Sequence, residues 1–344
     1  MRRPTIILAA LAGSATLALA ACSGATESDP ADSASGESSG ESQTLRLAIN
    51  QTEDYPSTIA LTAFGERLAA ATDGRWSIDV FPNEQLGAQA EALQLVSDGA
   101  VDLAIVAGPQ LENLNKDFVV FNLPGVFKDD AHEMAVVNDP AITGDLYKSL
   151  EDQQITVYGG FTAGMRGVYT AEGPIMVPAD LDGMKIRVQE TDTMVRMIEL
   201  MGGKATPMAF GEVYTALQSG VIDGAENAEP SYTTQKHNEV AKYYSYTNHL
   251  INTDYLVINT ELMASMSAED QEIFRAEWET TLEEYMAMWG QSIDDAIAEA
   301  EATGTIFTIP DQAAFAEALA PLAAETITND VQQKLYDDAI AAGK

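Results

Sequence analysis

Residues 45–106 alternate between strand-like and helix-like patterning, and this alternation restricts the possible fold more than any other feature of the chain. Residues 45–49 (LRLAI) read as a strand. From 57 to 72, Leu61, Phe64, Leu68 and Ala71 recur every three or four residues, which places them on one face of a helix. Asp73-Gly74 supplies a turn, and 75–81 (RWSIDVF) alternates like a strand. Residues 87–98 are helical, with Ala88, Ala92 and Leu95 on one side. Gly99 stops that helix, and 101–106 (VDLAIV) is a buried strand. Strand–helix–strand–helix–strand order predicts a parallel sheet with helices on its faces, an α/β fold.

The middle of the chain continues in this style. Residues 129–150 read as helix interrupted near Pro140, and 155–160 and 185–188 as strands. Helices follow at 192–201 and 212–218, and strands at 221–225, 243–248 and 254–259. Ser267 and Asp270 then make a capping pattern at the start of a long helix reaching about 303. Along it Phe274, Trp278, Leu282, Tyr285, Trp289, Ile293, Ala296 and Ala300 keep a helical step. About 35 residues at about 1.5 Å each span about 50 Å, longer than one small lobe, so this helix is expected to brace two lobes. Gly304 ends it, 305–309 reads as a strand, and one amphipathic helix is expected over most of 311–342. About 300 residues follow position 44, more than one core usually supports. The expectation is a first lobe of about 45–160 plus part of 260–344, and a second of about 161–255 plus part of the C-terminal region.

The amino-terminal segment bears on compartment. Arg2 and Arg3 precede an uncharged run at 5–20, shorter than the roughly 20 apolar residues of a membrane span. This is the pattern of a secretory signal peptide, assigned to residues 1–21. Its end, Leu19-Ala20-Ala21-Cys22, resembles the bacterial lipobox, which implies acylation of Cys22 and a lipid anchor in the membrane. Cys22 is the only cysteine, so no intrachain disulfide forms even where the compartment permits one. Residues 23–44 are small, polar and acidic, too poor in apolar groups to offset their chain entropy, and read with Cys22 as a flexible tether. The formal net charge of −35 argues against nucleic acid as a partner, since that affinity rests on Lys and Arg neutralising phosphates. The same charge opposes an anionic ligand at long range, so any arginine in a cleft becomes important.

Signatures of chemistry are missing. The chain has no His-Glu-x-x-His or phosphate-binding glycine loop, and its Gly-x-Ser-x-Gly string at 36–40 lies in the polar tether and not at a strand-to-helix turn. His132, His237 and His249 lack metal-ligand spacing and are expected on the surface or at helix flanks. Neither an enzyme activity nor a metal or other cofactor is expected.

Two arginines remain. Arg166 lies in GFTAGMRGVYT, among glycine and apolar residues, and Arg187 in LDGMKIRVQE, inside a predicted strand. A buried arginine must be paired. Each is therefore either half of a structural salt bridge or a guanidinium fork held for a ligand carboxylate.

The strings PADLDGMKIRV (178–188), TPMAFGEVYTALQSGVIDGAEN (206–227) and EVAKYYSYTNH (239–249) resemble the substrate-binding proteins of tripartite ATP-independent periplasmic (TRAP) transporters, the DctP family. The likeness extends more weakly over most of 45–340, including FPNEQLGAQAEALQLVSDGAVDLAI at 81–105. It implies a two-lobed, hinged α/β fold that closes on one small organic anion and presents it to a membrane permease. It also implies that Arg187 clamps the ligand carboxylate, with Arg166 as a second arginine, Asn227 as a polar contact and Phe210 lining the pocket. Asn50 and the 50–55 loop would face them, with Glu53, Asp54 and Tyr55 as further candidates and Tyr214 and Glu226 as structural residues. Ala225-Glu226-Asn227 followed by Pro230-Ser231-Tyr232 resembles the branch associated with sugar acids such as hexuronates. A C4-dicarboxylate or sialic acid-like ligand, a sensing receptor and a sugar-acid enzyme stay open at this point.

Overall fold

The computed structural model describes residues 42–343, so the expected signal peptide and the expected lipidation site, Cys22, lie outside the described residues. Among the described residues eleven strands form two sheets: β1 (Gln43–Ala48), β2 (Trp76–Phe81), β3 (Leu103–Ala107), β4 (Ile155–Met165), β5 (Gly167–Thr170), β6 (Lys185–Val188), β7 (Lys204–Pro207), β8 (Gly224–Asn227), β9 (Tyr243–Ser245), β10 (Ile251–Asn259) and β11 (Ile306–Thr308). The first sheet runs β2-β1-β3-β10-β4 and the second β11-β9-β5-β8-β6-β7. β1 begins at Gln43, so the last residues assigned to the tether already belong to the first sheet.

β1 pairs in parallel with β2 and β3, as the alternation at 45–106 predicts. β10, however, is antiparallel to both β3 and β4, so the first sheet is mixed. The reason lies in the connections. β10 enters the first sheet directly from the second, with no helical crossover to turn the chain around. Every residue of β10 is buried, with neighbours on both edges.

Two strand connections and one helix join the sheets. Arg166 alone separates β4 from β5, and residues 246–250 lead from β9 to β10. The two connections are tied where the Arg166 backbone N–H donates to the Leu250 carbonyl at 2.8 Å. The third link is the helix Ala268–Ala302, opened by the Ser267 hydroxyl accepting from Asp270 N–H at 3.1 Å. Its Phe274 packs edge-on to Phe64 at 5.0 Å, and Tyr285 meets Phe161 at 4.6 Å, all in the first-sheet core. Farther along, Ala300 joins the core of the second sheet with Tyr169, Tyr232 and Tyr244. The apolar stripe therefore changes lobe along its length, which is what a brace requires.

Two boundaries differ from the sequence reading. The single helix expected over 311–342 is three: Gln312–Leu319, Pro321–Thr326 and Asp330–Ala342. Pro321 has no N–H to continue a helix, and the Asn329 side chain caps a new one by accepting from Gln332 N–H at 2.8 Å. The lobe divisions expected near 160 and 255 fall inside β4 and β10, both first-sheet strands. Among the described residues no helix is long and apolar enough to cross a membrane.

Candidate functional site

A cleft opens where the two sheets face each other, with about 480 Å³ of empty space when its open mouth is included. Most of its walls come from residues at or just beyond the carboxyl ends of parallel strands, where open α/β sheets place their ligands, joined by the amino end of antiparallel β10. From the first sheet come Asn50 and Gln51 after β1, Glu84 and Gln89 after β2, Gln110 after β3, and Asn252 and Asp254 on β10. From the second come Arg187 and Gln189 at the end of β6, Phe210 after β7 and Asn227 at the end of β8. Arg166 reaches the cleft from the junction of the sheets.

Arg166 and Arg187 are both buried, at 2% and 3% exposure, but in different electrostatic settings. Arg166 is fully paired. Its Nε and Nη2 bond the Glu226 carboxylate, Nη2 also reaches the Glu226 carbonyl at 2.8 Å, and Nη1 donates to Asn227 Oδ1 at 2.8 Å. Burial would push the Glu226 carboxyl up, but the Arg166 charge and bonds from His249 and Arg166 outweigh it and hold it at about 2. His249 Nε2 lies 3.4 Å from the same carboxylate, and its Nδ1 is 2.8 Å from the Thr247 hydroxyl.

Arg187 has no carboxylate partner among the described residues. Its Nε and Nη2 converge on one neutral acceptor, the Met208 carbonyl, at 3.0 and 2.8 Å. Its charge centre stands 5.5 Å from the centre of the Phe210 ring, a cation–π contact that fixes the fork without neutralising it. Burial pulls the Arg187 pKa below the usual arginine value. Nη1 has no acceptor among the described residues. A buried guanidinium with a spare donor and no counter-ion has the chemistry to pair with an anion.

The rest of the cleft is rich in unsatisfied oxygen. Asn50 Oδ1, Gln51 Oε1, Glu84 Oε1, Gln189 Oε1 and Asn252 Oδ1 are buried with no hydrogen-bond partner. Buried polar groups are seldom left so, and here five cluster around one space. The lobes also touch across it. Gln51 Nε2 donates to Ser231 Oγ at 3.4 Å, and Asn113 Nδ2 to the Glu190 carbonyl at 3.1 Å. A Cβ at position 211 would collide with the Glu84 carboxylate, so Gly211 permits this close approach.

The profile of the DctP family, described as bacterial extracellular solute-binding protein, family 7, matches residues 47–330. The chain belongs to this family. A solute-binding protein of Chromohalobacter salexigens is 35% identical over 273 residues, covering 78% of this chain and 80% of that one. The TRAP periplasmic solute-binding protein of Anaerococcus prevotii, solved with bound α/β-D-glucuronate, superposes with a TM-score of 0.85 at 36% identity, over 87% of this chain and 98% of that one. The corresponding protein of Xanthobacter autotrophicus, solved with β-D-galacturonate, gives a TM-score of 0.83 at 33% identity, over 86% and 99%.

In this DctP-family protein the cleft gathers Arg187, Arg166, Asn227, Phe210 and Asn50, named above from sequence. It does not gather Glu53 and Asp54, which are solvent-exposed and do not line it. Of the 50–55 loop only its start turns inward to the cleft. Tyr55 is buried behind it and accepts from Ser231 Oγ at 3.3 Å. The expectation of surface or flanking histidines is corrected: His132, His237 and His249 are all buried. His237 Nδ1 is 2.8 Å from the Tyr169 hydroxyl, and burial, with the Arg187 charge, lowers its pKa to about 3.

Sequence reasoning missed Gln51, Glu84, Gln89, Gln110, Gln189, Asn252 and Asp254. For Asp254 a signal was present: it is an acid opening the otherwise apolar stretch YLVI of a predicted strand. Such a residue on a fully buried strand must face a partner or a cavity.

Proposed function

We propose that this protein captures a sugar acid, a hexuronate such as glucuronate or galacturonate, and delivers it unchanged to the membrane subunits of a TRAP transporter. The observation that carries the reading is Arg187, buried without a counter-ion at the edge of a cleft whose other walls are amides and carboxylates. The ligand carboxylate takes the free donor of Arg187, with Asn227 and Arg166 alongside. Its hydroxyls, each both donor and acceptor, meet the unsatisfied oxygens of Asn50, Gln51, Glu84, Gln189 and Asn252. The charges favour one carboxylate over two: two guanidiniums stand among the acids Glu84, Glu190, Glu226 and Asp254, and Glu226 already neutralises one of them. The glucuronate and galacturonate bound to similar proteins support this class. Closure of the lobes then excludes water and forms the shape the permease receives, and ligand drives closure only as far as it binds that state better.

Isothermal titration with D-glucuronate, D-galacturonate, succinate and malate tests the reading. Tight binding of a hexuronate, with the sugar recovered unaltered after long incubation, supports it. Binding of succinate or malate alone overturns the sugar-acid assignment. Anchoring through Cys22 belongs to the same proposal: a clickable fatty-acid label should mark the native chain in cells and be absent from Cys22→Ala.

A further inference from the structure

We propose that Asp254 is the charge filter of the cleft, the residue that admits hydroxyl groups at the first-sheet end of the ligand and rejects a second carboxylate there. The proposal rests on the sugar-acid reading and adds a mechanism of selection to it.

Asp254 lies on β10, 4% exposed, and lines the cleft. Its carboxylate has no hydrogen bond and no salt bridge to any described residue, whereas the buried acid Glu226 is clamped by Arg166 and Glu133 accepts from the Thr253 hydroxyl. Burial raises its pKa to about 6 against a weaker opposing effect of Arg166, as expected for an acid without a close partner. The other acids that line the cleft are less enclosed. Glu84 is only half-buried and lies against Gly211, and Glu190 is exposed. Asp254 is therefore the fully buried carboxylate whose acceptors are left to whatever fills the space.

Position gives this acid its selective role. Arg187 enters from the second sheet and Asp254 from the first, so a ligand held between the lobes presents one end to each. A carboxylate on Arg187 leaves the other end against Asp254. Hydroxyls there donate to it, and charge-assisted bonds of this kind are among the stronger ones. A second carboxylate there is repelled: two unit charges about 5 Å apart at an effective dielectric near 20 weaken binding on the order of a hundredfold.

The test compares D-glucuronate with D-glucarate, its counterpart carrying a carboxylate at both ends, by titration calorimetry at pH 8 on the wild type, Asp254→Asn and Glu84→Gln. The expected result is a wild-type preference for glucuronate that narrows at least tenfold in Asp254→Asn and much less in Glu84→Gln. Asp254→Asn keeps the shape and removes an unpaired charge, so folding should be preserved, and a thermal melt checks this. An unchanged preference in a folded Asp254→Asn overturns the filter while leaving the sugar-acid reading intact. A larger change in Glu84→Gln moves the role to Glu84 and overturns the assignment to Asp254. A wild type that prefers glucarate overturns the filter and the choice of a hexuronate, and one that binds none of glucuronate, galacturonate and glucarate overturns the filter and the sugar-acid reading together.

Discussion

Arg166 and Arg187 are the same residue type at nearly the same burial, in the same cleft, and their surroundings give them different work. Arg166, at the junction of the sheets, has its charge answered by Glu226 and every guanidinium nitrogen bonded. Arg187, on β6, has a carbonyl and an aromatic face but no acid. Burial alone thus does not mark a ligand clamp. The missing counter-ion is what supports the clamp proposed for Arg187, because a buried charge left unpaired is costly until something arrives to pair it. Of the two alternatives that the sequence left open for each arginine, the salt bridge is present at Arg166, and the waiting fork is what we propose for Arg187.

The comparison is most severely tested at Glu226. Glu226→Ala leaves Arg166 buried and unanswered, and should destabilise the ligand-free protein by about 3–5 kcal/mol in urea unfolding. Because the Glu226 pKa is depressed, its contribution is present at neutral pH and lost as pH falls from the ordinary glutamate range toward about 2. The wild-type and variant stabilities should therefore converge in acid. A variant as stable as the wild type at pH 7 would remove the distinction between the two arginines.

Arg187→Ala should show the opposite profile. Truncating one partner of a desolvated charge pair typically costs about 2–5 kcal/mol, so hexuronate affinity should fall about 30-fold to several thousandfold in calorimetry. The melting temperature of the ligand-free protein should change far less than in Glu226→Ala, since no native ion pair is broken. Undiminished affinity would show that Arg187 does not hold the ligand.

Asp254→Asn sharpens the contrast from the acidic side. The Asp254 pKa is raised to about 6 from an ordinary 3.8, so the folded state holds its proton more tightly than the unfolded chain. Ionisation then subtracts stability as pH rises from about 4 to about 6, by at most about 3 kcal/mol. The variant should be more stable than the wild type at pH 8 and equal to it near pH 3.5. A stability difference independent of pH would mean that the carboxylate does not titrate in this range.

The smallest effect is expected on the exposed part of the same loop. Glu53→Ala and Asp54→Ala should each alter stability and hexuronate affinity by less than about 0.5 kcal/mol. A tenfold loss of affinity in either would bring the loop back into the site.

Much of the secondary structure was legible because it is local. KIRV forms β6 over the predicted residues, and the periodic run after Ser267 forms one helix to Ala302. The family strings led to Arg187, Asn227 and Phe210, which do line the cleft. The less accurate expectations depended on distant partners. The acids at 53 and 54 lie near Asn50 in sequence, yet the turn into the helix Pro56–Ala71 carries them to solvent. The histidines were read as peripheral, because nothing in their neighbours discloses that Tyr169 or Glu226 will pack against them. Asp254 carried a signal, an acid at the head of an apolar strand, but only the fold shows that the space it faces is the cleft.

The sequence by itself determined the alternation of elements, the bracing helix, the family, and the presence of arginines where the chain is otherwise apolar, since periodicity, capping and motif strings are properties of contiguous residues. Tertiary structure alone decided the antiparallel insertion of β10, which arginine is neutralised, and which acids enter the cleft. Those outcomes depend on Coulomb and hydrogen-bond partners brought together from distant segments, and a charge buried with a partner differs from one buried without by several kcal/mol.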